Sequence, residues 1–167
     1  MFRALWIAVI LAVASLSGCS ETAAPRSVHS DRAEIREIFD RFAILADQGD
    51  VAAQMDLFTD DAVVISKSAN GETTLQGKDE IEAAFSAFLS QFDTVFHQNG
   101  QQLVDVAGSI ANATGYSIVV LGNDEGIMTM GVIYFDTYRR SGDRWLIQRR
   151  ESDFRWTQFE PATATTP

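Results

Sequence analysis

Four long stretches of strand-forming residues, separated only by tight-turn residues, fix the architecture of the second half of this chain. Thr94–Asp105, Ser109–Leu121, Ile127–Arg139 and Arg144–Phe154 are punctuated by Gly108, Gly122-Asn123-Asp124 and Ser141-Gly142-Asp143. Strands joined so tightly must be antiparallel neighbours, because a parallel pair needs a crossover of a dozen or more residues. The first half reads as helical. Ser30 or Asp31 can cap a helix with Ile35, Ile38, Phe39, Phe42 and Leu45 at helical spacing, stopped by Gly49. Asp50 caps a short second helix through Phe58. Ala62–Ile65 is a short strand, Asn70-Gly71 a turn, and a third helix follows Gly77. In that helix Ile81, Ala84, Phe85, Phe88 and Leu89 form one apolar face. Helices first and a strand meander second give an α+β fold, with helices packed on one face of a curved antiparallel sheet.

The chain opens with Arg3, an apolar stretch from Ala4 to Ala14, and small residues ending in Leu16-Ser17-Gly18-Cys19, its sole cysteine. This is the layout of a secretory signal peptide, too short to be an ordinary spanning helix. Its ending resembles the lipobox of bacterial lipoproteins. The resemblance implies that Cys19 becomes the lipidated first residue of a protein of the cell envelope. Ser20 is not an acidic inner-membrane retention signal, so the expected place is the outer membrane, facing the periplasm. The organisation read from this is a signal peptide at 1–18, a tether at 19–29, one domain at 30–156 and a disordered tail at 157–167. Loss of Arg3 with the signal peptide takes the formal net charge from −10 to −11. Such an acidic chain repels phosphate backbones, which argues against nucleic acid as a partner. Attachment to a membrane must then come from acyl chains. With Cys19 lipidated, the domain has no disulfide, no zinc-cysteine site and no cysteine nucleophile.

The strand around Gly115 hints at a cavity. Ala111, Ala113, Gly115, Ser117, Val119 and Leu121 form one face that is small in its middle, leaving room for a ligand unless Phe39, Phe42, Phe85 and Phe88 fill it. Tyr134, Asp136 and Tyr138 share a face of the next strand; if that face lines the pocket, Asp136 is a candidate second acid, and a solvated sheet face is the simpler reading. Arg149 and Arg150 take opposite faces of the last strand; one is a candidate for a ligand carboxylate, and pairing of both with surface acids is the simpler reading. His97 is the only histidine beyond the tether. Asp47 lies about 120° around its helix from Ile35, so periodicity does not turn it inward.

Several strings in order resemble the SnoaL-like branch of the NTF2-like superfamily. They are Ala46-Asp47-Gln48-Gly49-Asp50, Leu57-Phe58-Thr59-Asp60-Asp61-Ala62, Gly77-Lys78-Asp79-Glu80-Ile81, Phe96-His97-Gln98-Asn99, and Asp136-Thr137-Tyr138-Arg139 with Trp145-Leu146-Ile147-Gln148-Arg149. The resemblance covers about residues 30–156 and implies a cone-shaped barrel with an apolar pocket at its wide end. That branch includes scytalone dehydratase-like lyases, polyketide cyclases and ketosteroid isomerases. In the dehydratase-like pattern the helix-end aspartate falls on Asp47 and the first strand histidine on His97. The second histidine falls on Ser117 after Gly115-Tyr116, and two tyrosines fall on Ala46 and near Ser66.

The resemblance thus implies an Asp47–His97 acid–base pair, with Tyr116 and Ser117 as candidate ligand hydrogen-bonders. A histidine gives and takes a proton near neutral pH, and a carboxylate fixes its tautomer. Such a pair needs neither metal nor organic cofactor to act as a lyase or isomerase on a small apolar carbonyl or hydroxy compound. The alternative is a non-catalytic lipoprotein that binds a ligand or a protein. Pairing of exposed sheet faces, common in the superfamily, implies a homodimer.

Overall fold

A computed structural model describes residues 27–163. The signal segment, Cys19, most of the tether and the end of the tail lie outside the described residues. The first helix, α1, spans Val28–Asp47 and is capped by Ser27, whose hydroxyl accepts the Ser30 N–H at 3.1 Å. It therefore takes in Val28 and His29, assigned above to the tether, and neither Ser30 nor Asp31 is the cap. Asp31 has another use. It is buried, pairs with Arg140 at 2.7 Å and accepts the Trp145 indole N–H at 3.2 Å.

Asp50 does cap the second helix, α2 (Val51–Met55), by accepting the Ala53 N–H at 3.0 Å. That helix ends before Phe58, which already begins strand β1 (Phe58–Ser68). β1 turns back at Ala69-Asn70 into β2 (Gly71–Gln76), with Ser68 opposite Gly71. β2 escapes a reading by alternation because only Leu75 in it is even partly buried. Gly77, at φ 81°, precedes helix α3 (Lys78–Leu89).

The meander then follows as β3 (Thr94–Ala107), β4 (Ile110–Asn123), β5 (Gly126–Ser141) and β6 (Arg144–Pro161). The sheet is unclosed, in the order β2-β1-β6-β5-β4-β3. All neighbours are antiparallel except β1 and β6, which run parallel. The wholly antiparallel expectation is corrected at this one junction. Tight turns dictate direction only between consecutive strands, whereas a helix and the whole meander separate β1 from β6.

β6 also runs to Pro161, into the segment read as a disordered tail. Thr157–Pro161 pair with Gly126–Met130 of β5 although their side chains are exposed. The neighbouring strand supplies a backbone ladder there, and that ladder needs no apolar side chain.

The small-residue face of β4 does turn inward: Ala111, Ala113, Ser117, Val119 and Leu121 are all buried. At its centre, however, Phe39 occupies the space. A Cβ on Gly115 would lie 2.7 Å from the Phe39 ring. The room that remains lies further along the strand, beside Val119 and Leu121.

Candidate active site

α1 presents two faces to the fold. Ile35, Phe39 and Phe42 enter the core. A polar flank holds β3: Arg32 donates to the Val104 carbonyl and Arg36 to the Gly100 carbonyl, each at 3.2 Å, while Asp40 accepts from the Asn99 amide at 3.1 Å. At about 100° per residue, Asp47 falls within this same flank, between the directions of Arg36 and Asp40. At the end of α1 it meets β3 at His97.

The Asp47 carboxylate accepts twice from His97. Its Oδ1 lies 2.7 Å from Nδ1 of the ring, and its Oδ2 accepts the backbone N–H at 3.1 Å. A carboxylate can only accept, so Nδ1 carries the ring proton. Nε2 is left as the unprotonated nitrogen. The imidazole side chain is only 8% exposed. Burial draws its pKa below the ordinary 6.5, and the hydrogen bond and charge of Asp47 only partly offset this. His97 is therefore neutral at pH 7 and oriented as a base.

His97 lines a cavity of about 350 Å³ that Asp47 does not reach. Most of the wall is apolar: Phe42, Val64 and Leu75, then Phe85, Phe88 and Leu89 from α3, and Val119, Leu121, Met130 and Phe154 from the sheet. The polar members besides His97 are Gln54, Ser66, Thr73, Tyr134, Arg150 and Ser152.

Of the two candidate arginines, Arg150 is the one on the cavity wall. It is 1% exposed and held by Asp136 through two bonds, Nε to Oδ1 at 2.9 Å and Nη2 to Oδ2 at 2.7 Å. The Tyr138 hydroxyl donates to the same carboxylate at 2.9 Å. The guanidinium carbon lies 4.0 Å from the Phe42 ring centroid and 4.7 Å from that of Tyr134. Its Nη1 is buried without a partner among the described residues. Burial opposes the charge, but Asp136 outweighs it and holds the guanidinium pKa above its ordinary value. Burial also pushes Tyr134 up to about 12, against the pull of Arg150, so its hydroxyl remains a donor.

The reading of Tyr134, Asp136 and Tyr138 as a solvated face is thus overturned: they are 6%, 4% and 0% exposed. The signal was present, because Met130 and Val132 share their parity and continue the same face inward. Of the two arginines, only Arg149 pairs at the surface, with Glu151 at 2.9 Å.

Tyr116 and Ser117 do not line this cavity. Adjacent strand residues point to opposite faces, so the two could not both have done so. Tyr116 is 49% exposed on the outer face. Ser117 is inward but spends its hydroxyl on the Gln98 backbone carbonyl at 3.3 Å. Ala46 and Ser66, where the dehydratase-like pattern has tyrosines, do lie on the cavity wall.

Comparison with known proteins agrees with this architecture. Residues 27–151 match the SnoaL-like domain family. No curated protein matches the chain. Among solved structures, a candidate scytalone dehydratase from Novosphingobium aromaticivorans is 20% identical with a TM-score of 0.71, over 83% of this chain and 93% of that one. An NTF2-like protein with a cystatin-like fold from the same organism is 27% identical with a TM-score of 0.65, over 76% of this chain and 83% of that one. A type 2 hexachlorocyclohexane dehydrochlorinase is 15% identical with a TM-score of 0.72, over 83% of this chain and 95% of that one. Two helices and a hairpin ahead of a third helix, then a four-strand meander curling back to the first strand, are the NTF2-like cone; within that superfamily the chain belongs to the SnoaL-like domain family.

Proposed function

We propose that this domain is a cofactor-free lyase or isomerase acting on a small, largely apolar carbonyl or hydroxy compound. One observation carries the reading: a neutral imidazole, with Nδ1 committed to Asp47, opens onto an apolar cavity that also holds a buried guanidinium. Nε2 of His97 takes a proton from the carbon next to a carbonyl. The electron pair moves toward the carbonyl oxygen, where Arg150 and the Tyr134 hydroxyl stabilise the developing negative charge. The imidazolium then returns its proton either to another carbon, completing an isomerisation, or to a departing hydroxyl, which leaves as water. Low polarity around the pair strengthens each of these contacts. Two structural neighbours are named for eliminations, a dehydratase and a dehydrochlorinase.

Proton abstraction can be read without knowing the substrate. Deuterium uptake by 1-indanone in heavy water should exceed the buffer rate with the wild-type protein and return to it with His97→Gln. Equal uptake by both proteins would remove the catalytic role of His97. Binding of the ketone without any exchange would favour the alternative of a ligand-binding lipoprotein. Exposed Phe96, Tyr116, Ile118, Phe135 and Trp156 on the outer sheet face fit a protein-binding surface, such as that of a homodimer.

The proposed setting is the periplasmic face of the outer membrane, with the domain tethered through lipid on Cys19. In a bacterial host the full chain should fractionate with membranes, and Cys19→Ala should move it to the soluble fraction. Membrane retention of that variant to the same extent would overturn the anchor.

A further inference from the structure

Gln54 lines the cavity from α2 and is 1% exposed. Its amide is oriented by one bond: Nε2 donates to the Phe42 carbonyl at 2.9 Å. That fixes Oε1 as the other end, and Oε1 is buried with no partner among the described residues. The cavity wall therefore contains two unsatisfied groups of opposite kind. Arg150 Nη1 can only donate and Gln54 Oε1 can only accept. They do not satisfy each other, and an apolar hydrocarbon in the cavity would satisfy neither. Buried polar groups left unpaired are costly, so a ligand that completes them is favoured over one that does not.

We propose that Gln54 determines specificity: its Oε1 accepts a hydrogen bond, directly or through one water, from a hydroxyl on the ligand. Resting on the function proposed above, this narrows the substrate from a carbonyl or hydroxy compound to one that carries both groups on an apolar frame. The carbonyl oxygen is read by Arg150 and the hydroxyl by Gln54. A methionine at this position would fill a similar volume while offering no such acceptor.

The test uses indane and 2-indanol, probes of one shape that differ by a hydroxyl. Wild-type protein should bind 2-indanol at least about tenfold more tightly than indane, the value of roughly one buried hydrogen bond. Gln54→Met should bring the ratio close to one while still binding indane. The Gln54 side-chain amide resonances of the wild type should shift with 2-indanol and stay put with indane, a readout that does not depend on the variant folding. A preference retained in Gln54→Met, or no preference in the wild type, overturns the proposal. Exchange into 1-indanone, which has no hydroxyl, is followed in parallel in the wild type. Its loss with the alcohol preference intact would sink the catalytic reading and leave the Gln54 assignment standing. Failure of the wild type to bind either probe would sink the Gln54 assignment together with the apolar site.

Discussion

Asp136→Ala should lower stability by about 3–5 kcal/mol, the usual cost of stripping the partner from a buried charge. For a domain of this size that corresponds to a fall of about 10–20 °C in Tm. The reasoning starts from Arg150, which is 1% exposed and whose only ion-pair partner among the described residues is Asp136. With the carboxylate gone, the guanidinium stays charged because its pKa lies far above any working pH. Arg150 loses both bonds to the carboxylate, and the Tyr138 hydroxyl loses its acceptor as well. The pair itself is a different matter. Replacing both partners, as Asp136→Leu with Arg150→Met, removes the charge and its desolvation together and should restore most of the loss. Urea unfolding of Asp136→Leu, Arg150→Met and the double variant would give the coupling directly. A loss under about 1 kcal/mol for Asp136→Ala would show that Arg150 is solvated from the cavity, contrary to its burial. The double variant also divides stability from chemistry: it should fold, yet lose the donor that meets the carbonyl.

That buried pair shows why part of the site was hidden in the sequence. The hairpin turn sets Ser141 opposite Arg144 and Tyr138 opposite Ile147. Continued without interruption, the same register would place Asp136 opposite Arg149. A bulge between Tyr138 and Thr137 shifts the pairing, so Asp136 faces Arg150 instead. One extra residue moves the next side chain to the other face of a strand. It thereby decides which of two adjacent arginines is solvated and which enters the core. Alternation could not supply that residue.

Asp47 was hidden for a different reason. Its position about 120° from Ile35 follows from helical geometry, but an apolar stripe reports only the face that meets the core. The second, polar face of α1 is paired with β3 through Arg32, Arg36 and Asp40, and no hydrophobic pattern marks it. The four long strands and the third helix were legible because their patterns are long. β2, short and exposed, had none. The aspartate and histidine were found by resemblance, and their meeting had to come from three dimensions.

Asp47→Asn should reduce proton exchange by about 10²–10⁴-fold, the usual worth of a positioned acid or base and comparable with losing the orienting carboxylate of a catalytic triad. Both carboxylate oxygens accept N–H groups of His97, one from the backbone and one from the ring. Asparagine has a single acceptor oxygen, and its amide nitrogen would face the second donor. If the oxygen keeps the backbone N–H, the amide donates to Nδ1 and drives the ring proton to Nε2, which can no longer act as the base. The change also removes the influences that raise the His97 pKa, leaving burial to lower it further. In the wild type, the exchange rate should rise with pH through a pKa below 6.5 and level off above it, because the neutral form is the active one. Stability follows the same direction. The unfolded chain binds more protons than the folded one between that lowered pKa and 6.5, so stability should fall as the pH drops through this window. His97→Gln should abolish that contribution to the slope, whereas Asp47→Asn should extend the window downward. Titration of the His97 ring resonances reads the pKa in both proteins. A higher value in Asp47→Asn, or exchange persisting at the wild-type rate, would break the link between the aspartate and the base. If the two residues act as one unit, Asp47→Asn combined with His97→Gln should cost no more than the worse of the two alone.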